Sequence, residues 1–401
     1  MNILNRFLAY VAIDTQSAEE SKTVPSTLKQ LDLAKVLAIE LKAYGLVDVI
    51  LSSSGILYGT LKGDETITPI GFISHLDTSP EASGKDVKPR IINNYQGNEI
   101  ALNETTIMSP INFPSLKRHI GKTLIVTDGK TLLGADDKAG IAEIVEMLSY
   151  FSKNPQVKHG NIYVAFTPDE EIGGGVSDFD FTIFKAKFAY TVDGGEIEGL
   201  SYENFNAASA IVKITGVSVH PGDAKNKMIN SISLAEKFDS LLGEVKRPEN
   251  TEGYEGFNHL ISLNGTTAYT EMEYIIRNHD LSKLNEQRKS FVEAAKYLNK
   301  CYEKELIEVI IKDSYYNMRN LIEKDMSSVN LAIDSMKSMG IDPVISPIRG
   351  GTDGAKLTRM GMNTPNLGTG GYNYHGIYEY ACLEEMEAAA SLIIEICKKA
   401  K

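Results

Sequence analysis

The chain has 401 residues, of which 42% are hydrophobic and 23% charged, and its formal net charge is −12. At roughly 150 residues per domain this length predicts two or three folded domains, and the composition excludes disordered, collagen-like and coiled-coil architectures. The acidic balance, with no basic block longer than two residues, argues against a nucleic-acid interface or a polybasic membrane anchor.

At the N-terminus Leu4, Phe7, Leu8 and Val11 sit at helical spacing, and Arg6 is the only basic residue nearby. A secretory signal needs a basic start and a continuous apolar core, and no later stretch approaches the ~18 apolar residues of a membrane span. Strand-like apolar runs follow at residues 56–61, 69–74, 123–126, 162–166 and 188–192, alternating with helical patterns at 31–44 and 139–151. Such alternation predicts an α/β domain with a largely parallel sheet.

Near residue 207 the order changes. A strand at 210–215 precedes a helix at 228–242, strands at 259–263 and 268–276, a long helix at 281–302 and a last strand at 305–311. The order β-α-β-β-α-β is that of the ferredoxin-like split βαβ unit. Beyond Asp313 come a helix near 327–339, Gly-rich turns at 349–354 and 368–371, and a final helix at 383–399. This tail is too small to hold a core. We therefore expect residues 1–206 and 313–401 to form one domain, with 207–312 inserted into it. Cys301, Cys382 and Cys397 form no C-x-x-C pair. That usage fits a reducing compartment, and a cytoplasmic location is expected.

Polar residues gather where the strands end. His75-Leu-Asp77 follows the run at 69–74, and Gly134-Ala-Asp136-Asp137-Lys138 opens a helix. Thr167-Pro-Asp-Glu170-Glu171 follows 162–166, Asp193 closes 188–192, and His375 lies in the Gly-rich loop after Gly368. Each alone reads as an ordinary turn or helix cap. Together they place two histidines and three or more carboxylates at the end of an open sheet, where α/β folds bind ligands. Two His plus three carboxylates is a donor set for a pair of divalent first-row ions, zinc foremost.

The sequence resembles the dinuclear-zinc family of aminopeptidases, carboxypeptidases, dipeptidases and deacylases, and within it the tripeptide aminopeptidases. The resemblance spans essentially the whole chain. It includes segments without metal-binding residues: NFNAAS at 204–209, EGYEGF at 252–257 and DSYYNMR at 313–319. It implies a catalytic domain with a mixed, largely parallel sheet, an inserted ferredoxin-like lid, and two Zn²⁺ per subunit. By this resemblance His75, Asp136 and Asp193 look like the ligands of one ion, and Asp136, Glu171 and His375 those of the other, with Asp136 bridging. Asp136 rather than Asp137 is chosen because the family's D-x-K motif uses the Asp two residues before the Lys. Glu170 looks like the general base and Asp77 like the group that orients His75, a recurrent device behind metal-bound imidazoles.

The resemblance also assigns His220 of the inserted domain to the scissile carbonyl oxygen and Arg349 to the substrate carboxylate, for which an Arg fork is suited. Arg277 and Asn373 are further candidates for substrate contact. His119, His159, His259 and His279 read as surface or core residues. The implied activity is release of the N-terminal residue from tripeptides by zinc-activated water. The alternative is a dipeptidase or N-acyl amino-acid deacylase on the same scaffold. A tripeptide is the expected partner, with no nucleic acid and no membrane, and a homodimer is compatible with the resemblance. A non-catalytic peptide binder would be expected to lack Glu170 or a ligand, and all are present.

Overall fold

The computed structural model describes residues 1–401. The chain forms two compact units. One comprises Met1–Tyr202, Asn320–Ser346 and Thr352–Lys401, the other Glu203–Arg319 with Pro347–Gly351.

The first unit is built on an eight-stranded mixed sheet. Its spatial order is Val47–Leu51, Leu57–Leu61, Ile162–Thr167, Ile70–His75, Phe188–Gly194, Asn366–Gly368, Gly199–Ser201 and Val344–Ile345. The central strands Ile162–Thr167, Ile70–His75, Phe188–Gly194 and Asn366–Gly368 run parallel to one another. Ile70–His75 and Ile162–Thr167 are buried at every position, as strands covered on both faces must be. On one face lies the helix Ala135–Lys153, packed against Ile70–His75 and Phe188–Gly194 and against the helices Ile3–Val11 and Leu383–Lys399. It is buried nearly all round, Ile141, Ile144, Val145 and Leu148 fully so, as an interior helix is. A second core joins Ile73, Tyr163 and Ala165 to Phe179, Phe184 and Leu357.

The expected strand at 123–126 forms as Leu124–Val126 but does not belong to this sheet. It pairs antiparallel with Arg90–Ile92 and Tyr380–Cys382 in a separate four-stranded sheet. Its partners lie far away in sequence, so its own apolar pattern carries no sign of them.

The second unit has the expected β-α-β-β-α-β order. Its sheet runs Phe257–Gly265, Tyr269–Asn278, Asn206–Thr215, Ile307–Tyr315, with every neighbouring pair antiparallel. Tyr269–Asn278 alternates buried and half-buried residues after its first position, the signature of a sheet covered on one face. The helices Ser231–Leu242 and Leu281–Tyr302 supply Leu234, Phe238, Phe291 and Leu298 to a core with Val212, Met272 and Ile276. Their N-termini are capped by the side chains of Asn230 and Asp280.

The unit is wider than 207–312 for two physical reasons. Asn204, Asn206 and Asn317 staple the entering and leaving strands. Asn317 N–H donates to Asn206 Oδ1 at 2.9 Å, and Met318 N–H donates to Asn204 Oδ1 at 2.8 Å. Residues 347–351 join because the Ile348 N–H donates to the Glu203 carbonyl and because Arg349 is anchored there. No helix is long and apolar enough to cross a membrane.

Candidate metal centre

Three central strands of the first unit stop side by side. His75 ends its strand opposite Thr167, which ends the next, and Asp193 lies one residue before the end of the third. The chain leaving Thr167 delivers Glu170 and Glu171. Asp136 arrives differently, from the N-terminus of the helix Ala135–Lys153, where Asp136 and Asp137 leave helical geometry. Gly140 lets that helix approach: a Cβ there would lie 1.8 Å from the Val192 carbonyl oxygen. His375 comes from the turn after Gly371–Tyr372, with a φ of 64°.

Asp136 faces both imidazoles. Its Oδ1 is 2.8 Å from His75 Nε2 and its Oδ2 is 3.3 Å from His375 Nε2. His75 Nε2 is also 3.5 Å from Asp193 Oδ1, and His375 Nε2 is 3.0 Å from Glu171 Oε2. Donor atoms of His75, Asp136 and Glu171 lie within 4.8 Å of one another, as do those of His75, Asp137 and Asp193. Asp137 is nonetheless committed to the backbone, accepting from the N–H groups of His75 at 3.2 Å and Gly140 at 3.3 Å.

The charges are out of balance. Burial raises the pKa of Asp193 to about 7 despite His75. Burial also raises Glu171, with Asp136 adding to it, and raises Glu170 well above the carboxylate range, with Asp353 adding to it. Asp136 moves down: burial opposes, but hydrogen bonds from His375 and His75 prevail. Burial pulls His75 down, and Asp193, Asp136 and Asp77 more than reverse it. Hydrogen bonds to Asp136 and Glu171 raise His375 to about 11. Crowded carboxylates that burial would neutralise, held around two imidazoles, are relieved by a cation. Glu171 Oε1 is buried without a hydrogen-bond partner. Two imidazole nitrogens, carboxylate oxygens and this orphaned acceptor fit a divalent ion.

Around these groups stand further carboxylates, held by hydrogen bonds from backbone amides and side chains. Asp77 accepts from the N–H of Glu170 at 3.0 Å and Glu171 at 3.2 Å. Its nearer contact with His75 Nδ1 is through its own carbonyl oxygen, at 2.9 Å, with the carboxylate at 3.4 Å. Sequence reasoning missed Asp169, Asp353 and Glu379. Asp169, at a φ of 56°, accepts from the Ser26 N–H and from Gln30 Nε2, each at 2.7 Å. Asp353 accepts from Thr167 Oγ1 at 2.8 Å, and its N–H donates to Glu170 Oε1 at 3.3 Å. Gly175 makes room for it, since a Cβ there would lie 2.0 Å from Asp353 Oδ1. The acidic residues flanking Glu170 and His375 were the available signal.

The remaining candidates sit apart from this cluster of contacts. His220, in the second unit, is exposed, and its Nδ1 accepts from the Gly222 N–H at 3.2 Å. Arg349 donates to the carbonyls of Gly253 and Glu255 and to Thr251 Oγ1, at 2.7, 2.9 and 3.0 Å, with its guanidinium over the rings of Phe205 and Phe257. It therefore holds the 251–257 loop in place. Arg277 donates to the carbonyls of Ala208 and Ile276 and stacks on Tyr315. Asn373 donates to the Tyr378 carbonyl across its own turn.

Residues 202–303 match a family described as Peptidase dimerisation domain. Over 401 residues the chain is 50% identical to Peptidase T of Alkaliphilus oremlandii, covering 98% of each. The fold superposes with a TM-score of 0.77 on the crystal structure of aminopeptidase PepT from Bacillus cereus, at 22% identity, covering 99% of this chain and 97% of that one. A Bacillus subtilis dinuclear metal binding peptidase of the M20 family matches with a TM-score of 0.65 at 14% identity, covering 99% and 96%.

Proposed function

The chain belongs to the peptidase T family of hydrolases, and we propose that it releases the N-terminal residue of tripeptides at a two-zinc centre. The observation that carries this reading is Asp136, one oxygen toward His75 and the other toward His375. His75, Asp136 and Asp193 would hold one ion; Asp136, Glu171 and His375 would hold the other. A divalent pair bound there supplies Lewis-acid chemistry, lowering the pKa of water and polarising a carbonyl.

Glu170 is the base of this mechanism. It takes a proton from the water that attacks the peptide carbon, then delivers it to the amine as the C–N bond breaks. Its carboxylate is oriented by the Asp353 N–H, and its backbone is fixed by Asp77. His220, by the resemblance, would donate to the oxyanion that develops on the carbonyl. Arg349, with Arg277 and Asn373, would meet the peptide. For Arg349 that contact requires giving up carbonyls of the 251–255 loop. The dimerisation-domain match over 202–303 supports a homodimer, and three cysteines without a C-x-x-C pair support a reducing, cytoplasmic location.

Hydrolysis of a panel of di-, tri- and tetrapeptides and N-acyl amino acids, with metal content measured on the same sample, tests the reading. Tripeptides should be cleaved fastest, from the N-terminus, by protein carrying two zinc ions. Faster cleavage of dipeptides or N-acyl amino acids would replace it with the alternative specificity.

A further inference from the structure

Four residues beyond His375, the chain buries a carboxylate that ligates nothing. Glu379 is 1% exposed. Its Oε2 accepts from the N–H groups of Leu133 at 2.6 Å and Gly134 at 2.8 Å, and its Oε1 accepts from the Asp136 N–H at 3.0 Å. Three amides of one loop thus close on a single side chain from another. The three donors lie at the start of the helix Ala135–Lys153, where backbone N–H groups have no intrahelical acceptor. Gly134, the N-cap, has no side chain with which to satisfy them. The buried Lys138, whose Nζ donates to the Ile13 carbonyl at 2.7 Å, lies close enough to Glu379 and Asp77 to feel both charges.

The placement matters because of what each loop carries. The loop that Glu379 grips holds Asp136, and the loop it belongs to holds His375. These side chains meet at 3.3 Å. We propose that Glu379 is a positioning residue for the metal centre: its carboxylate fixes the Asp136 loop against the His375 loop and so sets the spacing of two ligands of one ion. This rests on the two-metal reading of the site. Asp77 does the equivalent for Glu170 and Glu171 by accepting their amides, but it is tied to His75. Glu379 touches no imidazole, so its effect on metal must pass through the backbone it holds.

Glu379→Gln keeps the size and one acceptor oxygen, and puts an N–H₂ group against amide donors. Metal affinity is read by competition with a chelator at equilibrium, on full-length protein stripped and reloaded with Zn²⁺. The thermal midpoint of the metal-free form is measured alongside. Affinity for at least one ion should fall roughly 10–100-fold, the usual scale for groups that orient ligands. Glu379→Asp, which keeps the charge one methylene further back, should fall less. A lower midpoint with unchanged affinity in Glu379→Gln would reduce Glu379 to a structural cap and overturn the proposal. If Glu379→Gln does not fold, affinity equal to wild type in Glu379→Asp overturns it instead. A wild-type protein that retains no Zn²⁺ against the chelator would strike the metal reading itself, before any comparison of variants.

Discussion

The first unit contains two buried histidine–carboxylate clusters, and by donor count either could take a metal. One is built on His75, Asp136 and Glu171, the other on His119, Cys382 and Glu385. They differ in who supplies the positive charge. Glu385 accepts from His119 Nε2 at 3.0 Å, Lys122 Nζ at 2.7 Å and Tyr372 Oη at 2.5 Å. Its pKa drops to about 2: burial pushes up, and hydrogen bonds from His119, Lys122 and Tyr372 outweigh it. In the first cluster no Lys or Arg forms an ion pair with Asp136, Glu171 or Asp193, and burial raises Asp193 and Glu171. The second cluster holds a lysine, Lys122. The first has only its two imidazoles, raised by the carboxylates they face, as the place a divalent ion would take over. Charge balance, more than the presence of donor atoms, separates a metal centre from a structural network.

The sharpest way to break this contrast is at the first cluster's reacting group. Glu170→Gln keeps the shape but cannot accept a proton. Turnover should fall by roughly 10²–10⁴ or more, the range for losing general acid–base catalysis, with metal content unchanged. Substantial activity in the metal-replete variant would remove Glu170 from the role of base. His220 sharpens the contrast from outside both clusters. His220→Ala should lower kcat by roughly 10²–10³, as loss of one oxyanion donor does, with metal content intact and KM moved much less. A normal kcat with only a weaker KM would make His220 a peptide contact.

A third comparison lies within the metal cluster. On the two-metal reading, Asp136→Ala would remove a ligand from both ions, whereas His75→Ala would remove one from a single ion. Atomic absorption should find metal falling from about two equivalents toward none in Asp136→Ala, and to about one in His75→Ala. Equal losses would argue against bridging, or shift the role to Asp137.

The five proposed ligands were legible because four of them stand where a strand or helix pattern changes, and because acidic runs and histidines are conspicuous there. The choice between Asp136 and Asp137 was not legible from local pattern: adjacent carboxylates look alike until one is seen to bond the His75 and Gly140 amides. Asp169, Asp353 and Glu379 stand in the sequence only as further acidic residues, with nothing to say what each one holds. Their partners are remote in sequence: Ser26 and Gln30 for Asp169, Thr167 for Asp353, and the amides of Leu133, Gly134 and Asp136 for Glu379. The same holds for Leu124–Val126, assigned to its own sheet by strands at 90–92 and 380–382. Arg349 is a carboxylate clamp by resemblance, and the carbonyls at 253 and 255 that its donors meet are partners the sequence does not mark.

The smallest effect on the chemistry, and the cleanest check on the comparison, belongs to Glu385. Its folded pKa of about 2 lies below the ordinary value of 4.5, so its ionised form stabilises the fold. A depressed carboxylate contributes fully above its unfolded pKa and loses that contribution as pH falls through the folded one. The difference corresponds to about 3 kcal/mol at neutral pH, at 1.36 kcal/mol per pKa unit. Glu385→Gln should therefore cost about that much in urea unfolding of the metal-free protein at pH 7. The gap to wild type should close as pH is lowered from about 4.5 toward 2. Zinc content and kcat should stay within about twofold, because the cation this carboxylate needs is Lys122 and remains in the chain. A gap that does not change with pH would remove Glu385's charge as the source of stability. A variant that loses zinc would collapse the distinction between the two clusters.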